Sequence, residues 1–413
     1  MTKIEKLISD LKKRGIINNI TNEEKIKNLK EGDGIYIGFD PTAESLHLGN
    51  YIPITILRRF SKAGLKAYGV LGGATGMIGD PSFKENERQL LDKETLERNK
   101  KAIKQQLEAF GLEVIDNYEF YKDMNILDFL RDIGKHINVN YMINKESIAT
   151  RLETGISFTE FTYTILQGYD FSYLYKNKNI KIQAGGSDQW GNITTGLELI
   201  RKFYGENDAL GITLNLLLDS NGKKFGKSVG GAIWLDRFKT SPYSLYQYFI
   251  NQNDNDVEKL LNWYTFLEDE EIEKIMFYHK KDPKKKLAQK MLALEVAQNI
   301  HGKTQARNAK EITEILFEST KPITEITMEQ LELILNDLPL YDNQQQKRKL
   351  IDLLIDSKIC SSRREVREML ANGSISIDNE IKKDENEEVF PRYFEYKYMI
   401  VKKGKRNFYI IKF

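Results

Sequence analysis

A chain of 413 residues has room for two or three domains, and 40% apolar with 30% charged residues suits a folded protein with a proper core. No apolar run approaches the roughly 18 residues of a membrane span, the single cysteine, Cys360, cannot by itself form a disulfide or thiolate cluster, and four histidines argue against a multi-histidine metal site. The net charge of +2 is unevenly spread: residues 341–413 carry 16 Lys/Arg against 12 Asp/Glu, and the other residues 46 against 48. A basic C-terminal segment fits either nucleic-acid binding or a solvated surface.

Residues 1–30 mix Lys, Glu and Asp with Ile and Leu at helical spacing and read as one or two exposed helices. They lack a signal-peptide core, so the expected location is the cytoplasm. From 31 to 220, strand-like and helix-like stretches alternate, the pattern of a parallel sheet with crossover helices. The clearest strands are 35–39, 67–71, 180–183 and 212–218, and helical periodicity dominates 93–110, 125–135 and 158–175. Residues 245–320 hold no strand-like run and read as all-helical. Lys321-Pro322, then Leu338-Pro339 through Gln344-Gln345-Gln346, read as linker. Residues 347–413 read as two short helices followed by strands, a small α+β unit. The expected domains are 1–230 (α/β), 231–325 (helical), 326–346 (linker) and 347–413.

The stretch 35–50 anchors the chemistry. Ile35 to Phe39 is a short apolar, aromatic and β-branched run that Asp40-Pro41-Thr42 breaks. Ile54, Leu57 and Phe60 then recur at spacing three, so a helix begins near His47 and stops near Gly64, with Pro53 tolerated because it lies close to the helix start. A strand feeding a helix N-terminus favours anions, because free N–H groups and the helix dipole point there. His47 adds a donor, and Gly49 leaves room for a flat ligand. Gly72-Gly73-Ala74-Thr75-Gly76 and Ala184-Gly185-Gly186-Ser187-Asp188-Gln189 follow strands, where open α/β sheets bind ligands. Lys223-Lys224-Phe225-Gly226-Lys227-Ser228 is either a solvated basic loop or a pair of lysines separated by glycine and able to fold over a ligand. On the helix 158–175, Tyr163, Gln167 and Asp170 share one face, and an aspartate among aromatic residues is costly to bury without a partner.

His47-Leu48-Gly49-Asn50 resembles the HIGH signature of class I aminoacyl-tRNA synthetases, and Lys224-Phe225-Gly226-Lys227-Ser228 resembles their KMSKS signature. The surrounding stretches resemble the bacterial tyrosyl type over nearly the whole chain. The resemblance implies a Rossmann-like catalytic domain, a helical domain on the anticodon side and an S4-like RNA-binding domain. It implies tyrosine, ATP and tRNA(Tyr) as substrates, with Mg²⁺ arriving on ATP and no protein-built metal site. His47 would donate to ATP phosphate as charge builds. Asn50, where the signature has histidine, would make a neutral hydrogen bond to ribose or phosphate. Lys224 and Lys227 would neutralise the phosphates beside Ser228. Lys84 and Arg88 are either a second cationic arm or solvated surface. Tyr36 and Asp170 would bind the substrate phenol, Asp80, Tyr163 and Gln167 its ammonium group, and Gln183 would complete the pocket. Gly38, Asp40, Thr42 and Gly49 would line the nucleotide side, with Asp188 and Gln189 near the adenylate ribose or the amino acid. Arg363, Arg364 and Arg367 would meet RNA phosphate, and Phe129 to Asn144 resembles the subunit interface of a homodimer. Phe225 and Gly226 replace the signature's Met and Ser. Rival readings are a tryptophanyl enzyme of the same fold, a non-catalytic RNA-binding shell, and a small nucleotidyltransferase.

Overall fold

A computed structural model of the chain describes residues 1–80, 91–145, 148–149, 155–220, 222, 225, 227–228, 231–345 and 347–413. The chain divides into two compact units, Met1–Leu235 with Lys259–Asp269, and Asp236–Glu258 with Glu270–Phe413. The first unit therefore runs past the expected boundary at 230 and takes in a later segment. Trp263 Nε1–H donates to the Arg14 carbonyl at 3.2 Å, and Arg14 pairs with Asp269 at 2.9 Å, which ties that segment to the N-terminal helix.

The first unit is built on β1 (Ile17–Ile20), β2 (Gly34–Phe39), β3 (Lys66–Leu71), β4 (Glu113–Asp116), β5 (Ile180–Gly186) and β6 (Leu210–Leu214), in spatial order β1-β6-β5-β2-β3-β4. Strands β2 to β6 run parallel, as the alternating pattern predicts. Consecutive residues Ile35, Tyr36 and Ile37 of β2 are all buried, so both faces of this strand are covered. From β2 the chain builds outward through β3 and β4, and from β5 outward through β6. The order thus reverses between β2 and β5, and such a switch point opens a crevice at the strands' C-terminal ends.

The helices of this unit include α1 (Lys3–Lys13), α2 (Leu48–Lys62), α3 (Lys93–Ala109), α4 (Ile126–Asp132), α5 (Val139–Ile143), α6 (Phe158–Lys178) and α7 (Trp190–Tyr204). Their starts are written locally. Thr2 with Glu5, His47 with Asn50 and Ser157 with Glu160 form reciprocal capping boxes, and Asp92 caps α3. No helix among the described residues is long and apolar enough to cross a membrane.

Three expectations need correction. Residues 1–30 contain β1 as well as α1; Ile17-Asn18-Asn19-Ile20 has weak strand propensity, and pairing with β6 (Ile17 with Leu214, Ile20 with Ile212) makes it a strand. The strand expected over 212–218 ends at Leu214, because Asn215 turns its side-chain amide to the carbonyls of Gly15 and Ile17. The stretch 326–346 is more than linker. It carries the helix Met328–Ile334, capped by Thr327 with Gln330, and the strand Leu340–Asp342, which pairs parallel with Asn407–Lys412. A three-residue strand has no readable periodicity, and its ladder partner lies far along the chain.

In the second unit, helices Pro242–Ile250, Leu287–His301 and Lys303–Thr313 pack on one another. A five-stranded sheet follows, in the order Glu380–Ile381, Ile375–Ile377, Tyr398–Lys403, Asn407–Lys412, Leu340–Asp342. Leu353, Leu354, Val366 and Leu370 from the helices Leu350–Asp356 and Arg363–Ala371 form a core with Ile375, Val401 and Ile411 of this sheet.

Candidate active site

A cavity of about 280 Å³ opens at the C-terminal ends of β2 and β5, the switch point of the sheet. Strand β2 brings Tyr36 and Gly38 to its lining, with Asp40 just past its end, and α6 brings Tyr163, Gln167 and Asp170 from one face, as their spacing predicts. Thr75 and Asp80 come from the segment after β3, Asn117 from the 3-10 turn Asn117–Phe120 after β4, and Asp188 and Gln189 from the turn after β5. A second cavity of about 370 Å³ is lined by His47, Gly49, Leu217, Phe225 and Ala232. Asn50, Pro53 and Gly186 line both, so the two are parts of one cleft.

At one end of the cleft, His47 is the N-cap of α2. Its Nδ1 accepts the Gly49 N–H at 3.1 Å, and its own N–H donates to Asn50 Oδ1 at 3.1 Å. Asn50 spends its oxygen on the cap, so its amide N–H groups remain as its donors, and the residue lines both cavities. Pro53 has no N–H to offer the Gly49 carbonyl, so that carbonyl stays outside the helical ladder. The Leu48 N–H donates to the Ile233 carbonyl at 2.7 Å, and the Leu235 N–H to the Leu46 carbonyl at 2.8 Å. Upstream of Ile233, Gly231–Ala232 pairs with Lys227–Ser228. The backbone of Lys227 and Ser228 is thereby tied to the segment that meets the His47 end of the cleft.

At the other end lies Asp170, 3% exposed. Asn117 Nδ2 donates to its Oδ2 at 2.9 Å, and the Tyr121 hydroxyl lies 2.6 Å from its Oδ1. Burial pushes the Asp170 carboxyl up to about pH 7; hydrogen bonds from Asn117 and Tyr121 pull the other way, and the nearby Asp40 charge adds to the rise. Asn117 also accepts the Ala74 N–H at 2.8 Å and donates to Thr75 Oγ1 at 3.2 Å, which pins the turn after β3. The Tyr36 hydroxyl is buried without a hydrogen-bond partner. Burial, then the Asp170 charge, raises its phenol well above the ordinary value. A buried donor left unpaired beside an acceptor carboxylate marks a place for a polar guest.

Between the two ends runs a chain of amides. Gln189 Nε2 donates to Asp80 at 2.9 Å, Gln167 Nε2 to Gln189 Oε1 at 3.1 Å, and Asn192 Nδ2 to Gln167 Oε1 at 2.9 Å. The Tyr163 hydroxyl donates to Asp40 at 3.3 Å. Gly72 allows these groups to converge, since a Cβ there would lie 2.3 Å from Asp40 Oδ1 and 2.5 Å from Thr75 Oγ1.

Not every expected residue reaches the cleft. Thr42 is exposed on the turn after β2 and lies outside both cavity linings, although the preceding Pro41 is buried. Gln183, opposite Tyr36 in the β2–β5 ladder, is 2% exposed and lies beneath the lining, with Oε1 unpartnered. Lys84, Arg88 and Lys224 lie outside the described residues. In the second unit, Arg363, Arg364 and Arg367 stand on the exposed side of a helix whose Val366 and Leu370 are buried; Arg363 pairs with Asp352 at 3.2 Å and Arg367 with Glu385 at 2.7 Å. Sequence reasoning missed Asn117, Tyr121 and Asn192, and it marked the turn that holds Thr75 without naming that residue for a role. Asn117 had a readable cue, because it directly follows the end of a strand in a parallel sheet.

A separate apolar hollow of about 550 Å³ is walled by α4, α5 and the start of α6. Leu127 is 72% exposed and Phe158 76% exposed beside it.

Comparison with known proteins gives the chain's family. A family model described as "tRNA synthetases class I (W and Y)" matches residues 28–318, and one described as "Tyrosine--tRNA ligase SYY-like C-terminal domain" matches residues 330–411. The tyrosine–tRNA ligase of Mycoplasmopsis synoviae is 51% identical over 411 residues, which is 99% of this chain and 100% of that protein. That of Ureaplasma parvum serovar 3 is 55% identical over 410 residues, covering 98% of both. A solved structure, the C-terminally truncated mitochondrial tyrosyl-tRNA synthetase of Coccidioides posadasii, superposes with a TM-score of 0.66 at 32% identity, covering 74% of this chain and 91% of that one. The chain belongs to the class I tRNA synthetases of the tryptophan and tyrosine group.

Proposed function

We propose that the chain attaches L-tyrosine to tRNA(Tyr) in two steps at the cleft. The tyrosine carboxylate attacks the α-phosphorus of ATP, forming tyrosyl-adenylate and releasing pyrophosphate. A ribose hydroxyl of the terminal tRNA adenosine then attacks the acyl carbonyl, and AMP leaves. A carboxylate is already a nucleophile, so the first step needs placement and charge neutralisation more than a general base. His47, Asn50 and Gly49 would receive the phosphates with Lys224, Lys227 and Ser228. Gly38, Asp40, Asp188 and Gln189 would hold the nucleoside and the adenylate, and Mg²⁺ would travel with ATP.

The observation that carries the choice of amino acid is the pairing of Tyr36 and Asp170. One offers a buried hydroxyl with no acceptor, the other a buried carboxylate. A substrate phenol satisfies both, accepting from Tyr36 and donating to Asp170. Phenylalanine satisfies neither, and unpaired buried polar groups are what such a site uses to reject it. Asp80, Gln167 and Tyr163 would meet the substrate ammonium. The full-length relatives, named as tyrosine–tRNA ligases, support the same choice.

The exposed apolar face around α4 and α5 supports a homodimer. The helical segment would face the anticodon side, and the arginines of the C-terminal unit would contact tRNA phosphate, in the cytoplasm where translation runs. The deciding experiment is amino-acid-dependent ATP–pyrophosphate exchange over all twenty amino acids without tRNA. Exchange with tyrosine alone is expected. Exchange with tryptophan would move the substrate to the sister activity, and no exchange from folded protein would leave an RNA-binding shell.

A further inference from the structure

We propose that Tyr121 is a positioning residue for tyrosine recognition, its hydroxyl holding the Asp170 carboxylate ionised and aimed at the substrate phenol. The inference rests on Asp170 reading that phenol and adds a residue from a separate segment to the reading.

Tyr121 follows the 3-10 turn after β4. Its hydroxyl oxygen lies 2.6 Å from Asp170 Oδ1 and 2.8 Å from the Leu166 carbonyl oxygen. A phenol has one proton, and the two acceptors are unequal. A charged carboxylate is the stronger, so with Asp170 ionised the proton points to it. With Asp170 protonated, the carboxyl can donate to the Tyr121 oxygen while the Tyr121 proton turns to Leu166. Both states are satisfied without a heavy atom moving, so the pair is built to pass between them. The Tyr121 ring is held between Tyr169 and Phe120, with centroids 5.7 Å and 6.3 Å away. It lines the apolar hollow of about 550 Å³ and is absent from the lining of the cleft cavity, which Asp170 does line. Tyr121 therefore acts on substrate through Asp170.

The groups facing Asp170 from every side are few in kind. Tyr36 comes from β2 and Asp40 from just beyond it, Asn117 and Tyr121 from the turn after β4, and Tyr163 and Tyr169 from α6 itself; Asp80 faces Tyr163. Burial and Asp40 favour the protonated carboxyl, whereas Asn117 and Tyr121 favour the ionised one. Phenylalanine at 121 removes one of these two donors and leaves the ring.

The test is Tyr121→Phe, read by the pH dependence of kcat/KM for tyrosine in ATP–pyrophosphate exchange and by the tyrosine-to-phenylalanine ratio of kcat/KM. The acid limb is expected to move up by about one pH unit, and the ratio at pH 7 to fall about tenfold, with KM for ATP unchanged. Tyr173→Phe, in a ring stacked on Phe120 at 4.3 Å, is the control for loosening of the aromatic cluster and is expected to move neither. A wild-type limb and ratio in Tyr121→Phe, or the same shift in Tyr173→Phe, overturns the proposal. Asp170→Asn, run in parallel, separates the two levels. If it leaves the ratio intact, the phenol reading itself fails; if it erodes the ratio while Tyr121→Phe is silent, only the positioning role fails. Should Tyr121→Phe not fold, the unaltered protein carries the test by ¹³C NMR. The Asp170 carboxyl carbon and the Tyr121 Cζ should titrate with one shared midpoint near neutrality, and unrelated midpoints would overturn the proposal.

Discussion

The Gly49 N–H donates to His47 Nδ1 at 3.1 Å, and this one bond fixes what the imidazole can do. With Nδ1 accepting, the neutral ring carries its proton on Nε2, so the donor faces away from the helix cap. Glutamine places a side-chain amide near the Nε2 position, while asparagine reaches only as far as Nδ1. His47→Asn keeps a strong N-cap and should preserve or slightly raise thermal stability. Its rate of adenylate formation should fall by about 10²–10³, the usual loss for one donor to developing charge. His47→Gln should lose clearly less. Stopped-flow measurement of adenylate formation, beside melting curves, checks both; equal losses would show that Nε2 is not the working donor.

Asp170 sets function against stability. Its folded carboxyl titrates near pH 7, raised chiefly by burial, whereas an unfolded aspartate titrates near 3.9. Between these values the folded state holds the extra proton, so this group's contribution to stability falls as pH rises from about 4 to 7. Above that window the cost is fully present, and below it the cost is gone. Asp170→Asn should therefore stabilise the ligand-free protein by about 1–4 kcal/mol at pH 8, with the gain vanishing near pH 4. The same variant should lose selectivity for tyrosine over phenylalanine. Urea denaturation at pH 4, 6 and 8 tests the first claim, and a gain that does not depend on pH would contradict it.

The parts of this site that were legible in the sequence are those whose meaning is local. Tyr163, Gln167 and Asp170 are spaced to share a helix face, and all three line one cavity. His47 stands at a strand-to-helix turn, which Asp40-Pro41 and the following periodicity announce. What escaped was long-range. Asn117 and Tyr121 hydrogen-bond Asp170 from 53 and 49 residues away, and nothing near them in sequence names that partner. The same holds for β1, whose two asparagines argue against a strand until β6 is beside it, and for Leu340–Asp342, which is a strand only because Asn407–Lys412 completes its ladder. Buried polar networks and edge strands are decided by tertiary pairing, to which local propensity is blind.

Tyr36 makes a complementary prediction to Asp170. Its hydroxyl is buried and unpartnered in the ligand-free chain. Tyr36→Phe removes an unsatisfied donor and keeps the ring, which meets Phe171 edge-on at 5.7 Å. The ligand-free protein should be unchanged or about 1 kcal/mol more stable, while KM for tyrosine rises about tenfold or more as the phenol loses its donor. Calorimetry and steady-state exchange would read the two effects. A destabilised variant with normal KM would mean that the hydroxyl serves the fold and not the guest.

Two glycines near the cleft should respond oppositely to the same added methyl group. At Gly38, on β2, a Cβ would meet no heavy atom within 4 Å, and the residue lines the cleft on the side assigned to the nucleotide. Gly38→Ala should fold with an unchanged melting temperature, because the methyl enters open space. That space is where ATP would lie, so KM for ATP should rise roughly tenfold while tyrosine binding, measured without ATP, stays as it was. At Gly72 the same methyl would stand 2.3 Å from Asp40 Oδ1 and 2.5 Å from Thr75 Oγ1, a distance atoms do not tolerate. Gly72→Ala must displace both polar groups, and with Thr75 the Asn117 bond that steadies Asp170. It should lower the melting temperature and weaken both substrates together. Binding of tyrosine and of ATP by calorimetry, with melting curves for the two variants, separates the cases. A Gly38→Ala protein with normal ATP affinity would move the nucleotide away from the end of β2.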